Sequence, residues 1–320
     1  MSQPSNDTLH PKPVTEIDAK RWLDVDFAGL EIGAAEYPEG PTGCTVFHFP
    51  AVASLHIDVR GGSPGINGEH LTLTNAICFA GGSLYGLEAS TGVAAELFAR
   101  HEYSTKWQDI ALVSGAIIFD YGRRRNAIYP DKELGRAAVR AARPGRFPLG
   151  PHGAGMSATA GHGASAELSG QGGAIRVIGA ARVAVFIVVN AYGAIVDRKG
   201  DVVRGNRDAS LGKRRRAEDV IAETGSYDPP PGRARGVTQN TNLTLLLTDQ
   251  KLDPLQLRSI ARQVHASLAR AIQPFNTRWD GDVLFAVTTQ RVENPTLDEV
   301  SLGVIASEVA WDAVLASFDP

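Results

Sequence analysis

The sequence has few cysteines and no long apolar run, and both shortages limit what the protein can be. Only Cys44 and Cys78 occur among 320 residues, so no disulfide framework is predicted. Cys78 lies in an apolar segment, where a buried inert thiol is favoured over a nucleophile. The apolar run at residues 183–189 is far too short to cross a bilayer, and the polar N-terminus lacks the apolar core of a signal peptide. We therefore expect a soluble cytoplasmic protein that has no membrane partner.

Charge and histidine spacing argue against two further classes of partner. The formal net charge is -3, which gives no electrostatic reason to expect nucleic acid. The single basic run, residues 213–216, is followed at once by Glu218 and Asp219, so a solvated loop or helix start is favoured. The eight histidines are scattered, and no two have the i, i+4 spacing of a helical metal site. No metal and no cofactor are expected.

The 34 glycines indicate tight turns and close backbone approaches. Residues 149–173 are so rich in Gly, Ala and Ser that they predict close backbone packing around a site. Residues 153–161 are loosely similar to a phosphate loop, but no Lys-Ser/Thr pair follows and the spacing of a dinucleotide fold is absent. Nor does a Gly-x-Ser-x-Gly elbow support a serine triad. Such a segment can still aim backbone N–H groups into a pocket, where they stabilise a negative oxygen.

Hydrophobic periodicity predicts a mixed α and β chain. The first twenty residues are polar and predict a loose arm. One helix is predicted at about residues 85–101, another after Asp253 as N-cap and Pro254 as its first residue, and a last one at about 302–316. The predicted strands are residues 43–50, 55–59, 110–119, 175–189, 243–248 and 283–288.

The junction between residues 239 and 242, Gln-Asn-Thr-Asn, is the most informative feature. It follows a Pro/Gly/Arg stretch at residues 228–236 that cannot pack as helix or strand, so residues 228–240 are predicted to be an exposed linker. A hydroxyl residue, Thr241, then opens an apolar run. This arrangement is expected where a precursor cuts itself to expose an N-terminal threonine. A cut after Asn240 would divide a single domain of 320 residues into fragments of 240 and 80 residues.

Downstream of this junction, Asp280 and Asp282 allow two interpretations. They form either a pair of acid/base carboxylates or a plain turn with glycine at its centre. On the residues alone the turn is favoured.

From about residue 29 to residue 315 the chain resembles the N-terminal-nucleophile hydrolases that include the DmpA-type aminopeptidases (peptidase family S58), and within them the nylon-oligomer hydrolases. The resemblance depends on nine ordered blocks, which are specific together although each alone is weak. They are EGPTG at 39–43, DVRGG at 58–62, GGSLYGLE at 81–88, YPDK at 129–132, GAGMS at 153–157, VVRGN at 202–206, IQPF at 272–275, DGD at 280–282 and IASEV at 305–309.

The resemblance implies a four-layer α-β-β-α sandwich and assigns roles to specific residues. Thr241 is the implied nucleophile, freed by cleavage after Asn240. Asn190 is implied at the oxyanion, and Asp280 and Asp282 are implied to position the new N-terminus. This chemistry is coherent, because a threonine hydroxyl needs a nearby base and a free α-amino group titrates at roughly 7.7–8. One residue then supplies nucleophile and base.

The resemblance also implies a substrate and an assembly. The substrate is a small-molecule amide oligomer, 6-aminohexanoate (nylon-6), cut at internal bonds without a cofactor. The assembly is a homotetramer of heterodimers, each made of the two fragments of one precursor. Tyr85 lies in a matching block and is a candidate for lining the substrate cleft. A buried tyrosine at a helix start is an equal alternative.

The chain departs from the family pattern at three positions. His162 stands where the family carries lysine, Gln239 replaces a glycine before the cut, and Asn242 replaces a second threonine. Lysine is permanently charged, whereas histidine is mostly neutral at pH 7 unless a carboxylate supports it. His162 then either replaces lysine as donor, makes the site slower and more pH-dependent, or impairs maturation. The first two alternatives are favoured.

Two other functions remain as alternatives. One is an aminopeptidase that removes N-terminal residues, including β-amino acids, with the same machinery. The other is an uncleaved, non-catalytic binding protein of the same fold, for which His162 and Gln239 are the only support.

Overall fold

The structure, a computed structural model, describes residues 3–227, 240–294 and 296–319. The predicted exposed linker at 228–240 lies outside these residues except for Asn240, which is buried. The described helices are α1 (Asn6–Leu9), α2 (Glu88–Arg100), α3 (Lys132–Ala141), α4 (Ala217–Thr224), α5 (Pro254–Ser267) and α6 (Glu299–Leu315). The described strands are β1 (Arg21–Val25), β2 (Glu31–Tyr37), β3 (Thr42–Val59), β4 (Ile66–Asn67), β5 (Leu73–Ala80), β6 (Val113–Ile117), β7 (Gly145–Leu149), β8 (Thr159–Ala160), β9 (Glu167–Leu168), β10 (Gly170–Ile178), β11 (Ala181–Asn190), β12 (Ala194–Val196), β13 (Val202–Arg204), β14 (Arg207–Asp208), β15 (Lys213–Arg214), β16 (Thr241–Gln250), β17 (Ile272–Gln273) and β18 (Val283–Val292).

Nine strands form one continuous hydrogen-bonded sheet, in the order β10-β11-β16-β18-β3-β5-β6-β4 with β2 also paired to β3. The long strand β3 joins its two halves. Residues up to His48 pair with β2 and β5, residues from Ser54 onward pair with β18, and the register shifts between His48 and Ala53. The two strands predicted at 43–50 and 55–59 are therefore one bent strand.

Three apolar clusters divide the domain into four layers. The alternation of side chains along each strand sends every second residue to the opposite face. Leu243, Leu245 and Leu247 of β16 lie in the central cluster, between the two halves of the sheet. There the rings of Phe47 and Phe186, on strands that are not neighbours, have centroids 5.1 Å apart. This contact is evidence that the two sheet layers stack face to face.

Helices cover the two outer faces. Leu246 of β16 points away from the central cluster and packs in a second cluster with α5 and α6. Cys44, Cys78 and Val46 point outward from the other half of the sheet, into a third cluster with α2 and α3. The layers are therefore α5/α6, sheet, sheet and α2/α3, which confirms the predicted four-layer α-β-β-α sandwich.

Local sequence signals explain where several elements begin and end. Asp253 caps α5 through hydrogen bonds from the N–H groups of Leu255 and Gln256, and Pro254 is its first residue, as predicted. The strand predicted at 175–189 is instead the hairpin of β10 and β11. Its turn contains Gly179 at a φ of 59°, a conformation that glycine adopts without a Cβ penalty.

The N-terminal arm is attached to the body, which corrects the expectation that it is loose. The side chain of Asn6 donates to the Tyr129 carbonyl at 3.0 Å and to Asp131 at 2.7 Å. Val14 and Glu36 exchange two backbone hydrogen bonds, each of 2.9 Å. Most of the arm is exposed, so its polar composition gave no signal for these two anchors.

Candidate active site

Thr241 is the first residue of β16, the strand between β11 and β18. Its side chain is buried, and its backbone lies opposite Asn190, the last residue of β11. Both neighbours of β16 are apolar strands, so the register that buries the leucines of β16 also fixes Thr241 at the strand end. The structure thus brings the predicted nucleophile next to the predicted oxyanion residue.

The peptide bond between Asn240 and Thr241 is held against Gly281. The N–H of Gly281 donates to the carbonyl oxygen of Asn240 at 2.7 Å. An added Cβ on Gly281 would lie only 2.6 Å from Oγ1 of Thr241, so the hydroxyl packs directly against this glycine. A hydroxyl and a donor to the neighbouring carbonyl therefore meet at one peptide bond.

The amide of Asn190 is fixed in orientation by two backbone groups. Its Oδ1 accepts from the N–H of Thr159 at 3.1 Å, and its Nδ2 donates to the carbonyl of Phe119 at 3.0 Å. The second N–H of Nδ2 makes no other hydrogen bond with the described residues. An amide held in this way is a preorganised donor for a developing oxyanion.

Asp282 is a buried carboxylate that organises the residue after Thr241. Its Oδ1 accepts from the backbone N–H of Asn242 at 2.7 Å and from the side-chain Nδ2 of Asn242 at 2.9 Å. Burial, and secondarily the charge of Asp280, raises the pKa of Asp282 to about 7. Asn242, a departure from the family pattern, thus has a structural role here.

Asp280 is also buried, but one of its oxygens is open. Oδ2 accepts from the N–H of Thr277 at 2.7 Å, whereas Oδ1 has no hydrogen-bond partner among the described residues. Burial raises the pKa of Asp280. A buried oxygen of this kind is a ready acceptor for an ammonium or hydroxyl donor.

The loop at residues 60–63 holds the backbone of both aspartates. The N–H groups of Arg60 and Gly61 donate to the carbonyl of Asp282 at 3.0 and 3.2 Å, and Ser63 donates to the carbonyl of Asp280 at 2.9 Å. Asp280 and Asp282 are therefore two buried carboxylates flanking Gly281, and not only an exposed turn.

His162 lies in a group of aromatic rings at the mouth of the site. Its ring centroid is 4.6 Å from that of Tyr192 and 5.8 Å from that of Tyr227. The hydroxyl of Tyr227 donates to Oδ1 of Asn206 at 2.8 Å, and burial raises the pKa of Tyr227 to about 12. Tyr227 therefore presents a neutral phenol to His162 at ordinary pH.

A cavity of about 290 Å³ opens beside these residues. His162, Asn190 and Asn240 all line it, together with Phe119 and Arg123. Its volume is close to the lower end of ordinary small-molecule sites. The cavity therefore lies beside the strand end where Thr241 begins.

Tyr85 lies apart from this group. It is on the 3₁₀ turn Ser83–Leu87, is 69 % exposed, and packs against the ring of Tyr129 at 5.9 Å. It does not line the cavity beside Asn240. The alternative of a buried tyrosine does not hold, and its role in substrate binding stays a prediction.

The described residues offer neither a metal cage nor a membrane-spanning helix. No group of three or more His, Cys, Asp or Glu in the described ranges is arranged to hold a metal ion. Among the described helices, none is long and apolar enough to cross a membrane.

Reasoning from the sequence missed several residues of the site. The sequence analysis treats Gly281 only as the centre of a turn. A glycine between two acidic residues is also a signal that another part of the chain approaches the backbone closely. The carbonyl of Phe119 and the N–H of Thr159 gave no signal, because a backbone partner leaves no trace in residue type.

Comparisons with known proteins show the family to which the chain belongs. The model of peptidase family S58 matches residues 24–318. The chain is 46 % identical over 324 aligned residues to a 6-aminohexanoate-oligomer endohydrolase of Agromyces sp. (strain KY5R), covering 98 % of this chain and 90 % of that protein. A protein of the same name from Paenarthrobacter ureafaciens gives the same identity and coverage.

Solved structures of low identity share the fold. A Burkholderia sp. beta-aminopeptidase superposes with a TM-score of 0.62 at 17 % identity, covering 91 % of this chain and 84 % of that one. The l-aminopeptidase d-ala-esterase/amidase of Ochrobactrum anthropi, described as a variant of the Ntn hydrolase fold, superposes with a TM-score of 0.65 at 15 % identity over the same shares of the two chains. Together with the family match, these findings show that the chain belongs to peptidase family S58 and is a hydrolase of amide bonds.

Proposed function

We propose that the protein is a self-cleaving N-terminal-threonine hydrolase that cuts internal amide bonds of 6-aminohexanoate oligomers. The observation that carries the proposal is the arrangement at Asn240, Thr241 and Gly281. A hydroxyl, the carbonyl that precedes it and a donor to that carbonyl lie together in a buried site. The names of the relatives from Agromyces and Paenarthrobacter support the choice of substrate.

This arrangement supports self-cleavage. Oγ1 of Thr241 attacks the carbonyl carbon of Asn240 while the N–H of Gly281 holds the oxygen that becomes negative. The C–N bond breaks, the hydroxyl proton passes to the nitrogen, and an ester forms. Water then hydrolyses the ester, leaving a carboxylate on Asn240 and restoring the hydroxyl. The products are a free hydroxyl and a free amine on Thr241.

Turnover uses the same residue in its new form. The α-amine of Thr241 takes the hydroxyl proton as Oγ1 attacks a substrate amide, and Asn190 donates its remaining amide N–H to the oxyanion. The open Oδ1 of Asp280 accepts a hydrogen bond from the amine. Proton transfer to the leaving amine and attack by water on the acyl ester complete the reaction.

The self-cleavage test is direct. A denaturing gel of the purified protein should show two bands, and N-terminal sequencing of the smaller one should begin Thr-Asn-Leu-Thr. Thr241→Ala should give one uncut band and no turnover. Thr244→Val is the matched control, because Thr244 is buried on the same strand and its hydroxyl makes no hydrogen bond with the described residues. A single full-length band from wild-type protein would favour the uncleaved binding protein instead.

An aminopeptidase is the second candidate, favoured by the fold shared with the Burkholderia sp. beta-aminopeptidase. The two functions differ in whether the substrate must carry a free N-terminal ammonium. We expect an N-acetylated 6-aminohexanoate oligomer to be hydrolysed at a rate similar to the free oligomer. Turnover of only the unblocked substrate would favour the aminopeptidase.

The assembly and location belong to the same proposal. We expect each cut chain to remain an αβ heterodimer, four of these to form a homotetramer, and the protein to act in the cytoplasm. Size-exclusion chromatography with light scattering tests the subunit number.

A further inference from the structure

The cavity beside Asn240 contains few titratable side chains. Asp120, Arg123 and His162 are the charged or titratable groups among the described residues that line it. The electrostatic field that a ligand experiences in this cavity is therefore determined mainly by these three residues.

The charge of Asp120 is already compensated within the protein. Its carboxylate forms a buried ion pair with Arg124, in which both side chains are 1 % exposed. It also accepts from Thr42 Oγ1 at 2.6 Å and from the N–H of Gly82 at 2.9 Å. Asp120 is thus a structural acceptor, and it contributes little net negative charge to the cavity.

Arg123 is the opposite case. It is exposed, and within the described ranges its guanidinium makes no hydrogen bond or ion pair. It is the last residue of the 3₁₀ turn Tyr121–Arg123. Arg124, the residue after this turn, fixes the position of the turn. Arg124 donates to the carbonyls of Ile128 and Gly40 at 2.6 and 3.1 Å, so the turn that carries Arg123 has an anchored base.

The same segment reaches the catalytic amide. Phe119, which lies before this turn, accepts the hydrogen bond of Asn190 at its carbonyl. The position of Arg123 is thus tied to that of the oxyanion donor through a short, anchored stretch of chain. A substrate group bound by Arg123 would therefore have a fixed position relative to the side-chain amide of Asn190.

We propose that Arg123 binds the terminal carboxylate of a linear amide oligomer and so favours substrates cut near their carboxyl end. The inference depends on the function proposed above, because the acyl part stays on Thr241 while the leaving amine carries the carboxylate. A guanidinium presents paired donors that match the two oxygens of a carboxylate. The cavity then selects short oligomers with a free acid over the same oligomers with a neutral end.

The experiment compares a linear 6-aminohexanoate trimer with its C-terminal methylamide. Wild-type protein should show a kcat/KM about tenfold higher for the free acid, the factor that corresponds to one charge-assisted hydrogen bond in a half-exposed site. Arg123→Gln should lose this preference, because its kcat/KM on the free acid falls towards that on the methylamide, whereas Arg123→Lys should keep part of the preference. Arg125→Gln is the matched control, because Arg125 is an exposed neighbour that does not line the cavity.

A binding measurement separates this inference from the proposed function. Calorimetry with 6-aminohexanoate and with 6-amino-1-hexanol should show tighter binding of the acid to wild-type protein and equal binding to Arg123→Gln. Equal affinity of the wild type for both probes, or a preference that survives in Arg123→Gln, overturns the inference. Absence of turnover on every oligomer, with the acid preference intact, contradicts the proposed function and leaves the carboxylate site standing.

Discussion

At the scale of single residues, the proposed mechanism assigns the stabilisation of negative oxygen to Asn190 and Gly281. Gly281 donates to the carbonyl of Asn240, at the peptide bond whose cleavage we propose, whereas Asn190 presents a fixed amide beside the cavity. We therefore expect Asn190→Ala to lower kcat by about 100- to 1000-fold, the usual effect of removing one such donor. The variant should still give two bands on a denaturing gel. A kcat within twofold of wild type would contradict the assignment.

Gly281 leads to the complementary prediction. In Gly281→Ala the new Cβ would lie 2.6 Å from Oγ1 of Thr241 and 2.7 Å from the carbonyl of Ser63, so the hydroxyl or the loop must shift from the arrangement on which the proposed self-cleavage depends. We expect a folded protein that remains uncut after hours at 25 °C. Gly122→Ala is the control, because an added Cβ there meets nothing within 4 Å. Cleavage is monitored by mass spectrometry. Cleavage of Gly281→Ala at the wild-type rate would show that the close packing of Gly281 against Oγ1 of Thr241 is unimportant.

His162 leads to a prediction about how activity and cleavage depend on pH. If His162 acts as the donor in place of the family lysine, its charge is lost as pH rises, whereas a lysine stays charged. His162→Lys should therefore hold its activity and cleavage rate at pH 9 better than wild type, by severalfold relative to pH 6. Circular dichroism at both pH values controls for packing against Tyr192. Identical pH profiles of the two proteins would remove His162 from the mechanism.

At the scale of elements, the loop before β18 contains the buried carboxyl group of Asp282, whose ionisation is unfavourable. Burial raises the pKa of Asp282 to about 7, above roughly 3.9 in an unfolded chain. The folded state therefore binds the proton of Asp282 more tightly than the unfolded chain does. The resulting contribution to the free energy of unfolding is fully present below the pKa that Asp282 has in the unfolded chain. The free energy of unfolding therefore falls as pH rises from the unfolded-state pKa towards the folded-state pKa.

This loss is measurable in the uncut Thr241→Ala protein, where no new amine pairs with the carboxyl. Urea unfolding at pH 5 and pH 8 should show a lower free energy of unfolding at pH 8. Adding Asp282→Asn should remove most of that difference, since its amide oxygen still accepts from Asn242. Asp18→Asn, at an exposed position, should leave the difference unchanged. Parallel behaviour of all three proteins would show that Asp282 ionises normally.

Elements with local signals were predictable, and those defined by distant contacts were not. Helix α5 begins where Asp253 and Pro254 predict, because capping depends on residues within one turn. The continuity of β3 was not predictable, because Pro50 favours a break. Pairing with β2, β5 and β18 keeps the strand extended.

At the scale of the whole molecule, the four layers were predicted through family resemblance and not through periodicity. Alternating side chains on β16 indicate a two-faced strand, but they do not reveal which helices cover each face. The site followed the same rule. The residues alone favour a turn at Asp280 and Asp282. Their burial depends on the loop at residues 60–63, more than two hundred residues away. Arg123 gave no sequence signal, because its significance comes from the cavity it lines.

The topology also predicts how the two fragments behave after cleavage. The smaller fragment would supply β16, β18, α5 and α6, and β16 pairs with β11 of the larger fragment while β18 pairs with β3. Every residue of β16 is buried, so separating the fragments would expose the central cluster to water. We expect the fragments to co-elute in size-exclusion chromatography at neutral pH and to separate only in denaturant. Native mass spectrometry should show equal copies of each, and a free smaller fragment in buffer would mean that the sheet does not hold the cut chain together.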